Sequence, residues 1–279
     1  MGVSQWLRRL FGAGGGGARD GGSSVNGSAS GSSGGFVVRV GSCSDRGRRD
    51  NNEDNLYIDA DQHVYMVADG MGGQAAGEIA SQLAVDLIPV RLKKLPPAVQ
   101  SDAVAAEMTQ SFLEANEKIL ERGAEDPAAQ NLGTTSVVAM IRDGKLLIGH
   151  IGDSRAYRMR NHQLEALTVD HNLAQALVNA GSIPEDDLKN HRYKNVLYKY
   201  LGMKESGVEP DIKVIDIAVG DRFLLASDGV TGSIADEEII REMMRRNDPQ
   251  SCAMEIVRLA IDNGSKDNAT AIVIYVDAA

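Results

Sequence analysis

The spacing of apolar residues along this chain changes period several times, and each change marks a predicted element. Phe36-Val37-Val38-Arg39-Val40 reads as a strand. Leu56–Asp59 and His63–Asp69 read as two short strands joined by Ala60-Asp61-Gln62, a hairpin. From Ala75 to Lys94 the period lengthens to that of a helix, with Ile79, Leu83, Leu87 and Val90 in register and Pro89 expected to end or kink it. Pro97 to Arg122 predicts a second helix, striped by Val104, Met108, Phe112, Ala115 and Ile119 and stopped by Gly123. Strand spacing returns at Thr134–Ile141, Lys145–Ile151 and Ala156–Arg160, divided by Asp143-Gly144 and by Gly152-Asp153-Ser154-Arg155. Residues 171–210 break the pattern with short helical pieces and polar turns, as an insertion over the surface would. Ile212–Ala218 and Arg222–Ala226 are again strands, Ala235–Arg246 and Pro249–Asn263 helices, and Asn268–Val276 the last strand. Strands in runs with helices in pairs do not alternate as βαβ units would. The pattern predicts an α+β fold, antiparallel sheets packed face to face with helices outside.

The first 35 residues stand apart. Gly14–Gly17 and Gly21–Gly35 form a Gly/Ser-rich tract with almost nothing apolar to bury, so disorder is expected there and a single folded domain over 36–279. Ahead of it, Met1–Phe11 fits a short basic amphipathic helix making weak contact with a membrane surface or a partner. The plainer reading, a frayed tail, is preferred, and Trp6 stands where a myristoylation pattern needs Ser or Thr. Arg8 and Arg9 interrupt the apolar residues a secretory signal would need, and no run of 18 apolar residues exists to span a membrane. Two cysteines, Cys43 and Cys252, are too few for a disulfide framework or a zinc site, so a reducing, cytoplasmic home is expected. A net charge of -10 speaks against broad nucleic-acid binding and suits a chain that gathers divalent cations.

Several acids close apolar runs. Asp69 ends Val64-Tyr65-Met66-Val67-Ala68, Asp228 ends Phe223-Leu224-Leu225-Ala226-Ser227, and Asp267 precedes the last strand. Asp153 sits in a Gly-Asp-Ser turn, and Glu53-Asp54 precede the hairpin. One Asp-Gly pair is most simply a turn. Carboxylates brought together as a set would repel one another unless cations lay between them. Two divalent ions about 3.5–4 Å apart would relieve that repulsion and activate a water for attack on a phosphate ester.

Taken in order, Arg49-Asp50-Asn51-Asn52-Glu53-Asp54, Ala68-Asp69-Gly70-Met71-Gly72-Gly73, Gly133-Thr134-Thr135, Gly149–Arg155, Ala226-Ser227-Asp228-Gly229 and Lys266–Thr270 resemble the serial motifs of the metal-dependent type-2C protein serine/threonine phosphatases. The variant is the bacterial one, and the resemblance runs from about residue 36 to the C-terminus. Each motif alone is weak; together and in this order they are specific. The resemblance implies a central antiparallel β-sandwich flanked by helices on both sides, with a flap at about 171–210. It implies two core Mn²⁺ or Mg²⁺ ions and a third, weaker one. By motif, Asp69 would bridge the core ions and Gly70 would offer its carbonyl, with Asp228 and Asp267 completing the first ion's ligands. Glu53 would serve the second ion, Asp54 would orient water, Arg49 would clamp the phosphate, and Asp153 with Asp228 would hold the third ion. Met71 stands where animal relatives carry a histidine, which leaves the proton donor to the leaving group open.

The implied activity is hydrolysis of phosphoserine and phosphothreonine on proteins, in signal transduction, by metal-activated water with no phosphoenzyme. Implied partners are phosphorylated proteins and a cognate serine/threonine kinase, and a monomer is expected. Two alternatives stand beside it: a non-catalytic phosphoprotein-binding relative, and a cysteine-dependent phosphatase using Cys43 and Arg49 in a C-x5-R loop. The acids at Asp50–Asp54 speak against the second, because they would repel a phosphate there. His150 is expected to pack in a strand, His171 to open the flap in a structural or near-site role, and Met108, Met243, Met244 and Met254 to lie in the core.

Overall fold

Each strand shows successive side chains to opposite faces, and that alternation decides the architecture here. The computed structural model describes residues 24–29 as backbone, and residues 35–72, 76–96, 98–125, 132–204 and 208–279. In chain order the strands are β1 (Ser24–Ala29), β2 (Phe36–Asp45), β3 (Asp54–Asp59), β4 (Val64–Met71), β5 (Gly133–Thr134), β6 (Ser136–Arg142), β7 (Lys145–Ile151), β8 (Arg155–Arg160), β9 (Gln163–Ala166), β10 (Asp211–Asp216), β11 (Arg222–Ala226) and β12 (Ala269–Ala278). The helices are α1 (Ala76–Leu92), α2 (Ser101–Glu125), α3 (Leu173–Asn179), α4 (Asp228–Thr231), α5 (Asp236–Arg245) and α6 (Pro249–Asp262), and Glu185–Asn190 forms a 3-10 helix. One sheet runs β1-β2-β12-β11-β8-β9 and the other β10-β7-β6-β4-β3, with β5 paired to the end of β4. Their neighbours are antiparallel.

Alternating residues fill three apolar layers. Val40, Phe223, Leu225, Ile272 and Ile274 meet Tyr65, Val67, Val137, Ala139 and Ile148 between the sheets. The other face of β4, β6 and β7 (Val64, Met66, Val138, Met140, Leu147) packs on α1 and α2 through Ala80, Ile88, Met108 and Phe112. The outer face of β11 and β12 (Leu224, Ala226, Val273, Tyr275) packs on α5 and α6 through Ile239, Met243, Ile256 and Val257. The result is four layers, helix–sheet–sheet–helix, as the resemblance implies.

Several boundaries differ from the sequence reading. Within the Gly/Ser tract expected to be disordered, Ser24–Ala29 pairs antiparallel with Phe36–Gly41. A sheet edge offers main-chain partners whatever the side chains are, so low apolar content does not prevent a strand there. The remainder of residues 1–34, including the Met1–Phe11 segment, lies outside the described residues. Helix α1 runs through Pro89 to Leu92, since a proline in the last turn removes only one helical bond. Helix α2 starts at Ser101 rather than Pro97 and continues past Gly123 to Glu125. Met108 and Met243 are in the core as expected, whereas Met244 and Met254 are exposed on the outer faces of α5 and α6. Among the described residues no helix is long and apolar enough to cross a membrane.

Candidate active site

Strand alternation carries the acids to one rim of the sandwich. Tyr65 and Val67 face the space between the sheets, so Asp69, two residues on, faces the same way at the end of β4. Leu56 and Ile58 do the same on β3, which sends Asp54 to that side, and Asp54 pairs directly opposite Asp69. Asp228 is the first residue of α4, just past the end of β11. Asp153 lies in the turn between β7 and β8, and Asp267 on the loop into β12, two residues before that strand begins. Arg49 stands on the loop between β2 and β3, and Glu53 on the residue before Asp54.

Close backbone packing holds this rim together. A Cβ on Gly70 would lie 2.2 Å from the Gly77 carbonyl oxygen, so β4 and the first turn of α1 touch main chain to main chain. A Cβ on Gly229 would lie 1.9 Å from the Asn268 carbonyl oxygen, which fixes α4 against the start of β12. Asn268 ties down the Arg49 loop: its Nδ2 donates to the carbonyls of Arg46 (2.9 Å) and Asn51 (2.8 Å), and its Oδ1 accepts from the Glu53 amide at 2.8 Å. Thr134 Oγ1 donates to the Asp69 carbonyl at 2.8 Å, and Thr135 Oγ1 accepts from the Asp69 amide at 3.1 Å.

The charges conflict with one another. Burial pushes Asp54 up to about 7; Thr270 and Ser227 hydrogen bonds oppose the shift, while Asp228 and Asp267 add to it. Burial raises Asp69 well above the usual carboxylate range, and Asp54, Asp228, Asp153 and Asp267 raise it further. Asp153 is raised by burial and by Asp228, and Asp228 by burial and by Asp267. Glu53 is raised by burial, with Arg49 opposing the shift and Asp267 adding to it. Ser227 Oγ donates to Asp54 Oδ2 at 2.8 Å, yet Asp54 Oδ1 is buried without a partner. Buried carboxylates that raise one another's proton affinity, one with an orphaned oxygen, form a donor set of the hard-oxygen kind that Mn²⁺ and Mg²⁺ take.

The donors do not form a closed cage. Among the described residues no group of three or more His, Cys, Asp or Glu is already arranged to hold an ion. One reason is visible: Asp267 Oδ2 accepts from Arg49 Nη2 at 2.7 Å and is turned toward the solvent side of the rim. Beside the rim opens a groove of about 830 Å³, lined by Asp153, Arg155, Asp228, Asp267 and the flap residues Lys189 and Lys194.

A family model for protein phosphatase 2C matches residues 43–259. The chain belongs to that family. This phosphatase-2C chain is 33% identical over 237 residues to the serine/threonine phosphatase stp of Listeria monocytogenes, covering 84% of this chain and 94% of the relative. It is 33% identical to the serine/threonine protein phosphatase PstP of Mycobacterium tuberculosis, covering 85% of this chain and 45% of that longer protein. The crystal structure of M. tuberculosis PstP/Ppp superposes with a TM-score of 0.79 at 31% identity, over 86% of this chain and 99% of that one. A structure of the PstP catalytic domain in complex with two manganese ions superposes with a TM-score of 0.77 at 32% identity, over 87% of this chain and 99% of that one.

The acids singled out from sequence, Glu53, Asp54, Asp69, Asp153, Asp228 and Asp267, thus meet on one rim beside Gly70, with Arg49 exposed at its mouth. Ser227, Thr270, Asn268, Thr134 and Thr135 hold the acids and their loops in place, a part that the motifs alone do not assign. Their signal was available: a buried carboxylate needs donors, and hydroxyl or amide residues flank each acid. Cys43 sits in β2 opposite Ala271. Burial and Asp45 push its thiol up to about 11, the reverse of what a cysteine nucleophile needs.

Proposed function

We propose that this chain hydrolyses phosphoserine and phosphothreonine esters on proteins by direct attack of water, with no phosphoenzyme. One observation carries the reading: Asp54, Asp69, Asp153 and Asp228 come to one rim where burial raises each of them, and neighbouring acids, Asp228 and Asp267 foremost, raise them further. The names of the relatives and the manganese of the PstP structure support the same reading. Asp69, Gly70, Asp228 and Asp267 would hold one core ion, Asp69 and Glu53 the other, and Asp153 with Asp228 a third. Bound there, divalent ions supply an activated water and neutralise charge on the phosphoryl oxygens.

The chain's own groups do the rest. Ser227 donates to Asp54 Oδ2 and holds the carboxylate in place, which leaves Oδ1 to orient the attacking water and accept its proton. Arg49 is exposed, and its guanidinium is free to turn from Asp267 to the substrate phosphate, where its planar fork matches two oxygens. The groove below the flap gives a phosphorylated segment room to lie against the rim. A cognate serine/threonine kinase as partner rests on family analogy, not on any residue here.

The test is hydrolysis of a phosphothreonine peptide with Mn²⁺, with EDTA, and by Asp69→Ala. Turnover that needs Mn²⁺ and disappears in the other two conditions is expected. Turnover that survives EDTA would sink the reading, and tight phosphopeptide binding without turnover would make the chain a binding protein.

A further inference from the structure

Val3–Phe11 is a sequence feature that the rim does not absorb. At helical spacing Val3, Trp6, Leu7, Leu10 and Phe11 fall on one face, and Ser4, Gln5, Arg8 and Arg9 on the other. That is the composition of a helix that lies in a lipid interface, its apolar face bordered by arginines. The segment is outside the described residues, and sequence alone favours a frayed tail for it. The strand that follows shifts the balance. Ser24 pairs with Gly41 and Ala29 with Phe36, so the chain enters β1 at the end nearer the rim. From Gly41, β2 runs on for about 14 Å to Asp45 and the loop that carries Arg46, Arg48 and Arg49. Twelve residues, Gly12–Ser23, separate Phe11 from Ser24. A Gly-rich linker of that length spans about 20 Å on average, so Val3–Phe11 is tethered within reach of the rim.

The loops on that side carry free cations, on a chain whose net charge is -10. Arg46, Arg48, Arg49 and Lys266 are exposed and lie on two loops joined by the Arg49 Nε to Lys266 carbonyl bond at 3.3 Å. Arg49 is taken by Asp267, and Asp45 accepts from the Gly47 amide at 2.8 Å. Among the described residues Arg46, Arg48 and Lys266 make no ion pair, and the Arg46 guanidinium donates to the Asp50 carbonyl at 3.4 Å. Elsewhere on the surface Arg91, Arg158, Arg160 and Arg258 are each paired with acids. Unpaired cations gathered beside one opening keep their charge for a partner, and an anionic surface attracts them within about 10 Å at roughly 0.1 M salt. A lone apolar anchor binds membranes marginally, and a basic patch is the second contact that makes such binding stable.

We propose that Val3–Phe11 docks on an anionic lipid surface as an amphipathic helix and that Arg46, Arg48 and Lys266 seat on the same surface. The rim then works on phosphorylated segments displayed close to a bilayer. The lipid contact stands on the tail and the loops; only the choice of substrate rests on the proposed phosphatase activity. A bilayer fits both features at once. It takes the apolar face and the cations in one plane, at separations that a Gly-rich linker lets vary, where a protein groove would need a fixed spacing.

The test uses the full chain with vesicles of phosphatidylcholine alone or mixed with phosphatidylserine. Trp6 is the only tryptophan in the sequence, so its emission reads the segment by itself. With the phosphatidylserine vesicles the emission should move to the blue and be quenched by brominated acyl chains, and Leu7→Glu should abolish both effects. Arg46→Gln/Arg48→Gln should keep the shift but need about tenfold or more lipid to reach it, since each cation near an anionic surface is worth about fivefold. On the same vesicles the parent chain should turn over a lipid-tethered phosphothreonine peptide about tenfold or more faster than the free peptide, and Leu7→Glu should bring that ratio near one. An unshifted Trp6 overturns the lipid contact. So does an emission already blue without vesicles and unmoved by them, which would seat the segment on the protein. Full-strength binding by the arginine variant overturns the seating of the loop. Equal turnover of the two peptides by vesicle-bound chain overturns the choice of substrate. A parent that binds vesicles yet hydrolyses neither peptide overturns the phosphatase reading and leaves the lipid contact standing.

Discussion

Asp54 shows how one side chain makes the site testable. Its Oδ2 is held by Ser227 and its Oδ1 has no partner, so replacing the acid should remove a proton acceptor without opening a cavity. Asp54→Asn is expected to lower kcat by about 10²–10⁴-fold with KM for a phosphopeptide little changed, in steady-state kinetics at saturating Mn²⁺. An equal loss confined to KM would contradict a role in water activation. The same carboxylate gives a pH prediction. In the fold it titrates at about 7, against 3.8 when unperturbed, so the folded state binds the proton more tightly than the unfolded chain. Without cations, this group's contribution is fully present below pH 3.8 and is lost as pH rises toward about 7; Asp69, Asp153 and Asp228 shift in the same direction. Cation binding needs the ionised forms and so gains over that same window. The rise in Tm on adding Mn²⁺ should be larger at about pH 8 than at about pH 5 by scanning fluorimetry, and equal rises would count against cations at this rim. Asp69, Asp228 and Asp267 were legible in the sequence because each borders an apolar run beside a small or polar residue, and Glu53, Asp54 and Asp153 through the order of the motifs. Ser227, Thr270 and Asn268 were not assigned, because a hydroxyl or amide near a glycine reads as a turn until strand pairing shows which acid it faces.

Among the elements, those with a sustained period were legible and those made by a partner were not. The hairpin of β3 and β4 and the core run of β12 follow from short apolar runs between polar breaks, and the stripe of α2 from its helical period. The short helix α4 is one turn made by packing Gly229 on Asn268, and β1 exists through the edge of β2; neither has a period to read. The start of α1 is the clearest conflict between local propensity and packing. In an isolated helix, Gly77→Ala would stabilise by roughly 0.5–1 kcal/mol. Here the new Cβ would stand 2.8 Å from Glu53 Oε2 and 2.8 Å from the Gly70 carbonyl group, and main chain cannot step aside. Overpacking of this kind costs about 1–3 kcal/mol, so packing wins. Gly77→Ala is expected to lower stability in urea and to weaken Mn²⁺ binding through the displaced Glu53. A more stable variant with intact Mn²⁺ affinity would mean that helix and strand are less tightly joined than these contacts state.

On the scale of the whole molecule, the question is what the first 34 residues do for a domain that already has its layers. Strand β1 covers β2 from Phe36 to Gly41, the end remote from Asp45 and the loop that carries Arg49. Its removal should therefore leave turnover unchanged. Its net stability is also small, because each exposed-edge hydrogen bond contributes about 0.5–1.5 kcal/mol while ordering each residue costs about 1–2 kcal/mol. What β1 does supply is a partner for the main-chain groups of β2, which otherwise form an open template for another chain. Deleting residues 1–34 is thus expected to leave kcat and Tm nearly unchanged while promoting self-association at high protein concentration, read by sedimentation velocity. A truncated chain that stays monomeric would show that the edge of β2 needs no cover. A truncated chain that loses turnover would tie the tail to the rim, since the rim acids and the groove lie within residues 36–279.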